Sequence, residues 1–309
     1  MKIRVFGESH SAEIGVEIDG LPAGEPVDLG ELQSFLDRRA PGRGQGGVST
    51  PRSEPDAVLV ESGLADGRTD GKLFRAVIRN TNMRPSDYAN VARVPRPGHA
   101  DYASWIKYGT IPTGGGRWSG RLTAPLCIAG GVALQLLARK GVTISSSVSP
   151  GRTDAQAGDS FGATVEVVAH GVPKGLGDAW TEGLESKFAA AFFGIPAVKG
   201  VEFGAGFRLA DMTGSEANDA FVVEKGEVTL RTNNCGGILG GVSIGMPIVA
   251  RLAFKPTPSI SLEQDSVDLK TLASTKLTVK GRHDRCVAYR GAVAAEAAMA
   301  VVLETEIFG

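Results

Sequence analysis

The 17 residues from Leu122 to Ala138, LTAPLCIAGGVALQLLA, carry no charge. Such a stretch has no face suited to water, so the rest of the chain or a lipid phase must cover it. Leu122, Leu126, Ala129, Ala133, Leu136 and Leu137 recur at helical spacing until Lys140 and Gly141 end the pattern. Pro125, Gly130, Gly131 and Gln135 interrupt the run, which falls short of the ~20 apolar residues needed to span a bilayer. It is read as a buried helix.

The candidates for that covering are short. KIRVFGES, IGVEIDG, DAVLVESG and LFRAVIRN are β-type runs punctuated by Gly, Pro and Asp. Between them DLGELQSFLDRRAPG predicts a helix, with Asp28 as cap, Leu29, Leu32, Phe35 and Leu36 as its apolar face, and Pro41 and Gly42 as its stop. A second round follows. ATVEVVAHG predicts a strand and AWTEGLESKFAAAFFG a helix; VKGVEFG, EVTLRTN and IVARLAF are further strands, and an alanine-rich helix runs from about Gly291 to Glu304. The fold class expected is α+β, with antiparallel sheets packed on a helical layer. A single domain over residues 1–309, open to division into similar halves at about 1–145 and 146–309, is preferred to two independent ones.

Lys and Arg total 33 against 34 Asp and Glu, so the net charge of -1 leaves no footprint for nucleic acid or an anionic membrane. Cys127, Cys235 and Cys286 stand apart, with neither a Cys-x-x-Cys pair nor a histidine at zinc spacing, so no metal site is expected. Reduced thiols in a cytoplasmic protein are the simplest reading. MKIRVFGESH turns polar too soon for a secretory signal.

Anion binding must then come from local clusters. TGGGRWSGR sets Gly114, Gly115 and Gly116 before Arg117, Ser119 and Arg121 at the start of the apolar helix, where freed amides and guanidinium groups favour phosphate. The run is neither a dinucleotide fingerprint nor a P-loop, since Arg121 and Leu122 stand where Lys and Ser or Thr are required. A plain turn into a buried helix is the competing reading. FKPTPSI offers Lys255, Thr257 and Ser259 on a proline-set loop, suited to a phosphate or ribityl chain as well as to an ordinary hairpin. Arg38, Arg39, Arg43, Arg96, Arg117, Arg121 and Arg282 fall beside Gly or Pro, as if several anions converged on one site. His10, His99 and His283 each have polar company, although taken singly a histidine at a strand end is more often an ordinary polar residue; His170 has none and is read as structural. No hydrolase triad or nucleophile elbow appears.

The ordered set GESHS, RRAPG, RNT, RPGHADY, GGGRWSGRLTA, NNCGGILGG, KPTPSI and GRHDRC resembles the chorismate synthase family from the first strand to the last helix. The resemblance implies a β-α-β sandwich, a homotetramer, and conversion of 5-enolpyruvylshikimate 3-phosphate to chorismate with loss of phosphate. It also implies reduced FMN without net redox change, with NADPH or an outside donor left open as the source of reduction. By resemblance, His99 protonates or stabilises the departing phosphate, His10 controls protonation of the reduced flavin, and Asp284 assists proton relay at its N5. Arg39, Arg43, Arg96 and Arg121 hold the substrate's anionic groups. Arg117, Trp118, Ser119, Pro196, Ala197, Gly240, Lys255, Pro256, Thr257, Pro258, Ser259 and Arg282 match the flavin site. Five residues depart from the family pattern: Ser11 replaces a glycine, Trp118 a small serine, Gln45 an arginine, Pro196 an amide side chain and Arg285 a proline. The region between Ser147 and Gly158 is abbreviated. The alternative is a flavin- or phosphate-binding relative lacking this catalysis; an unrelated nucleotide-phosphate enzyme comes third.

Overall fold

The computed structural model describes residues 1–40, 55–80, 91–279 and 283–309. The first half opens with β1 (Lys2–Gly7), β2 (Glu13–Asp19) and α1 (Leu29–Arg39). It continues through β3 (Leu59–Ser62), the small hairpin β4 (Leu64–Ala65) and β5 (Arg68–Thr69), and β6 (Phe74–Arg79). The short helix α2 (Asp101–Tyr108) precedes α3 (Thr123–Ala138). The second half has β7 (Thr143–Pro150), β8 (Ala163–His170), α4 (Leu184–Phe193), β9 (Val198–Phe203) and the turn-like α5 (Gly214–Ala217). Then come the hairpins β10 (Phe221–Glu224) with β11 (Glu227–Leu230) and β12 (Ile238–Leu239) with β13 (Val242–Ser243), followed by β14 (Ile248–Phe254). A last hairpin, β15 (Gln264–Asp268) with β16 (Ala273–Leu277), precedes α6 (Ala288–Phe308).

Two four-stranded antiparallel sheets result, ordered β1-β2-β6-β3 and β7-β8-β14-β9. Counted within its own half, each sheet runs first, second, fourth, third strand, with one α-helix among the described residues between the second and third strands and a long helix after the fourth. Period-two alternation sends one face of each inward: Ile14, Val16 and Ile18 of β2 and Val165, Val167 and Ala169 of β8 join one core with residues of α3 and α6. The α+β sandwich over a central helical layer is the fold the sequence implied.

The helix α3 is buried as expected, with 13 of its 16 residues enclosed. It lies between a sheet and α6, so nearly every side must be apolar. The interrupting residues are what allow this. A Cβ at Gly130 would stand 2.2 Å from the Cβ of Ala297, so glycine lets α3 and α6 approach closely. Gln135 spends its amide on Asp28, accepting from the backbone N at 2.8 Å and donating to the carbonyl at 2.9 Å. Asp28 in turn caps α1, its Oδ1 accepting from Gly30 N and Glu31 N. By length and composition Gly120–Ala138 could cross a membrane; here it is 78% buried by the fold.

Other expectations shift. The helix expected from Ala179 begins at Leu184, and the last helix runs from Ala288 to Phe308. The strand EVTLRTN pairs only with β10, outside the main sheets. Several elements had no expectation, among them α2, β7, β10, β15 and β16. The predicted stop at Pro41 and Gly42 lies outside the described residues.

Candidate active site

A cavity of about 460 Å³ opens where loops of both halves meet. One wall holds Arg96, His99, Gly114 and Arg117 to Arg121; the other holds Phe193 to Val198, Lys255, Thr257 to Ser259, His283, Asp284 and Arg290. Neither half forms it alone.

The RPGHADY loop is a hydrogen-bonded knot. His99 Nδ1 lies 2.6 Å from Asp101 Oδ1. Arg96 donates to both oxygens of that carboxylate, from Nε at 2.7 Å and Nη2 at 2.8 Å, and its backbone N adds a third bond at 3.0 Å. Its Nη1 reaches Ser259 Oγ at 3.1 Å, joining the two walls. Lys255 Nζ donates to the Gly98 carbonyl, a second tie across the cavity. Burial alone would raise the Asp101 carboxyl; the bonds from Arg96 and His99 outweigh it and hold the group well below the usual carboxylate range. Burial, helped by nearby Lys199, pulls the Lys255 ammonium down.

The glycine run explains how two histidines share this site. Gly114, Gly115 and Gly116 all have positive φ, at 63°, 86° and 52°. A Cβ on Gly114 would lie 2.2 Å from Cε1 of His10, and one on Gly115 3.0 Å from Cε1 of His99. The run therefore packs as bare backbone against both imidazoles. It enters α3 through a short 3-10 turn, with Ser119 Oγ accepting from Arg121 N at 3.3 Å. Arg117 donates to the Tyr108 hydroxyl at 3.3 Å, and the Tyr108 ring stands 5.9 Å from that of Trp118, which lines the cavity.

Beneath lies a buried ionic layer. Asp56, in a left-handed conformation (φ 46°), takes Arg39 Nη1 at 2.7 Å on one oxygen and Arg121 Nη1 on the other. Burial would raise its carboxyl, but the two guanidinium groups win and lower it. Arg39 has no exposed surface, and its Nε donates to Thr123 Oγ1 at 2.8 Å. Burial, with Arg290 and Arg121 nearby, lowers its pKa to about 10. Arg121 also bonds Asn80 Oδ1 at 3.2 Å, and Asn80 Nδ2 holds the Ser11 carbonyl beside His10 at 2.8 Å. On the far wall Asp284 pairs with Arg290 Nη1 at 3.0 Å.

The structure therefore rearranges several expectations. Arg39, expected at the substrate, sits behind Arg121, buried by α1 and the Asp56 pair, and does not line the cavity. Arg38 likewise lies on α1 and is bound to Glu296 through both terminal nitrogens, so these two arginines are helix residues rather than loop cations. Gly240 turns the β12–β13 hairpin, and Pro256 faces another surface depression; neither lines the cavity. Arg43, Gln45 and Arg282 lie outside the described residues. The remaining flavin-site matches, Arg117, Trp118, Ser119, Pro196, Ala197, Lys255, Thr257, Pro258 and Ser259, share the wall with His99, Arg96, Arg121 and Asp284. His10 does not line the cavity; it lies behind Gly114, which does.

Ser11 staples the turn before it, its hydroxyl bonded to Glu8 N at 2.9 Å and Glu13 O at 2.5 Å. Arg285 turns away to Ala155 O and Phe161. His170 is exposed at the end of β8. Burial pushes the Cys127 thiol up to about 12, which makes it inert as a nucleophile. Sequence reasoning missed Asp56, Asp101 and Arg290; the only available signal was the place of Asp101 inside RPGHADY.

Two wall features fit a bound phosphorylated cofactor. The Thr257 hydroxyl is buried without a hydrogen-bond partner, a donor left for something in the cavity. Ala197 holds φ 76°, a strained conformation for a residue with a side chain, at the point where Lys255 N bonds its carbonyl.

Comparison with known proteins gives matches along the whole chain. The family model described as chorismate synthase matches residues 1–154 and 151–308. The chorismate synthase of Lancefieldella parvula is 42% identical over 357 aligned positions, covering 98% of this chain and 93% of that protein. That of Thermococcus gammatolerans is also 42% identical, covering 98% and 94%. A solved structure titled "Crystal Structure of Chorismate Synthase" superposes with a TM-score of 0.75 at 25% identity, covering 99% of this chain and 90% of that one.

Proposed function

Since the chain belongs to the chorismate synthase family over its whole length, we propose that its cavity is where 5-enolpyruvylshikimate 3-phosphate loses phosphate by 1,4-elimination to give chorismate. The enzyme is a carbon–oxygen lyase of the shikimate pathway. The observation that carries the site reading is the convergence of His99, Arg96, Arg121, Arg290 and Lys255 on one cavity between the halves.

The substrate brings a phosphate and carboxylates, and the reaction breaks a C–O bond to phosphate and removes a ring proton. Cations around the cavity offset the substrate's charge and the charge that builds on the leaving group. Arg121, oriented by Asp56 and Asn80, meets an anionic group of the substrate. His99 gives a proton from its ring to a phosphate oxygen. Asp284 on the wall, paired with Arg290, and His10, behind Gly114, are the other groups that hold and pass protons. Arg117, Trp118, Ser119, Pro196, Ala197, Lys255, Thr257, Pro258 and Ser259 hold FMN, the Thr257 hydroxyl supplying an unspent bond. Reduced FMN, when bound, supplies electron density to the breaking C–O bond with no net redox change.

In this reading the working form is a cytoplasmic homotetramer. The free thiols support a reducing compartment, and the exposed apolar side chains Trp180, Phe207, Phe221 and Val223 support assembly.

The test is an anaerobic assay with chemically reduced FMN and 5-enolpyruvylshikimate 3-phosphate, following phosphate and chorismate together. Equal yields of both are expected, and His99→Ala should lower turnover by roughly 10²–10⁴-fold. Repeating the assay with oxidised FMN and NADPH sorts self-reduction from an outside source. Binding of flavin and substrate without either product would overturn the reading in favour of a binding protein.

A further inference from the structure

We propose that Asp101 is a positioning residue that fixes which nitrogen of His99 faces the reacting phosphate, held rigid for this purpose by Arg96 and Ser259. The proposal rests on the reading of His99 as the proton donor.

The argument is one of bond accounting. His99 Nδ1 lies 2.6 Å from a carboxylate oxygen of Asp101, and a nitrogen lone pair facing a carboxylate at that distance would be repelled. Nδ1 therefore carries hydrogen and donates it. Arg96 Nη2, 3.1 Å from the same nitrogen, has only hydrogens to offer and cannot accept that bond. Asp101 is thus the sole acceptor there among the described residues, and Nε2 is the nitrogen left for the cavity. The ring edge bearing Nε2 lies beside Gly115, 3.1 Å from where a Cβ would stand, so that loop sets no side chain over it, and His99 lines the cavity.

Delivering a proton requires a second hydrogen on Nε2, and hence a cationic ring. The charged groups facing His99 are Asp101 and Arg96; Lys255 reaches the neighbouring Gly98 carbonyl, and Arg121 shares the cavity wall. Arg117, His283, Asp284 and Arg290 line the same cavity; of the carboxylates named, Asp101 is the one within hydrogen-bond distance of the ring, and it favours the charged form. The Nε2 hydrogen passes to a phosphate oxygen, the ring returns to its neutral Nδ1–H form, and Asp101 stays ionised throughout, as a carboxylate orienting an imidazole does. The carboxylate cannot swing away, because three donors of Arg96 hold it and Arg96 is itself tied to Ser259.

The experiment compares Asp101→Asn, Asp101→Glu, His99→Ala and the double variant Asp101→Asn/His99→Ala, each with reduced FMN. In Asp101→Asn the alkaline limb of kcat/KM against pH should move down by about one pH unit, the ordinary effect of removing one close opposite charge. Asp101→Glu keeps the charge but displaces it by a methylene, so the limb should stay while kcat falls. In the His99→Ala background Asp101→Asn should cost nothing further. A readout without turnover is carbethoxylation of the His99 peptide by diethyl pyrocarbonate across pH, whose midpoint should move down in Asp101→Asn. If both profiles of Asp101→Asn overlay the wild type while His99→Ala loses turnover, Asp101 is only structural and this proposal falls alone. An Asp101→Glu enzyme with wild-type kcat would likewise overturn the positioning role. If His99→Ala keeps full turnover, the proton-donor reading falls and takes the proposal with it.

Discussion

At Gly114 and Gly115 the chain has no room for a side chain, and the reason is chemical rather than a matter of turn formation. The two residues press bare backbone against His10 and His99 in a conformation that costs an L side chain about 1–2 kcal/mol. Gly115→Ala is expected to lower stability by about that amount and to push the His99 ring off its place, cutting kcat well beyond the loss of folded protein. Thermal unfolding and steady-state rates on the same preparation check this, and an alanine variant with wild-type kcat would show that the ring does not depend on the loop. Asp56 teaches the converse. Nothing in DAVLVESG marks its first residue as the buried partner of two arginines, because the pairing spans 17 residues to Arg39 and 65 to Arg121.

At the scale of elements, the fold depends on how closely α3 and α6 can approach. Gly130 stands 2.2 Å, by the position of its missing Cβ, from the Cβ of Ala297, and Gly131 faces Leu32 and Phe35 of α1. Gly130→Ala must separate two buried helices whose remaining faces are already filled. The expected loss is about 3 kcal/mol, the upper part of the usual range for overpacking. Gly214→Ala, with only Asn218 Nδ2 at 4.0 Å, serves as the near-neutral control. Equal melting temperatures for the two variants would contradict the close-packed account. The same elements show where periodicity stops: α3 was legible as a buried helix, but which segments cover it was not, since its surroundings come from parts of the chain distant in sequence.

For the whole molecule, the buried ionic groups set a direction for stability against pH. Asp56 and Asp101 both have folded-state pKa values below their ordinary range, so their contribution is complete above the unfolded value of about 3.9. It is lost as pH falls through the folded values, because the unfolded chain then binds protons that the folded chain refuses. Stability measured by urea unfolding should therefore fall with acidification from about pH 5 downward, with a shallower slope in Asp56→Asn. A stability that rose between pH 5 and pH 3 would contradict this assignment. The cavity is also a property of the whole molecule, with one wall from residues 96–123 and the other from residues 193–198, 255–259 and 283–291.

Much of this was written in order along the chain. The uncharged run, the alternating strands and the Asp28 cap determine helices and sheets through contacts a few residues apart, where side-chain period and capping chemistry operate. The motif set determined the family, and with it the segments that would bear the chemistry. Tertiary structure alone decided which arginines reach the cavity and which are spent beneath it. Arg39 and Arg121 share one carboxylate, yet only Arg121 emerges, because α1 buries its neighbour while the turn into α3 carries Arg121 to the wall. It also decided that His99 has a carboxylate partner, since the bond depends on how the RPGHADY loop turns into α2 and on Arg96 reaching across to Ser259. Local chemistry fixes what each residue can do; the burial and distances that select among those capacities arise only when segments far apart in the chain are packed together.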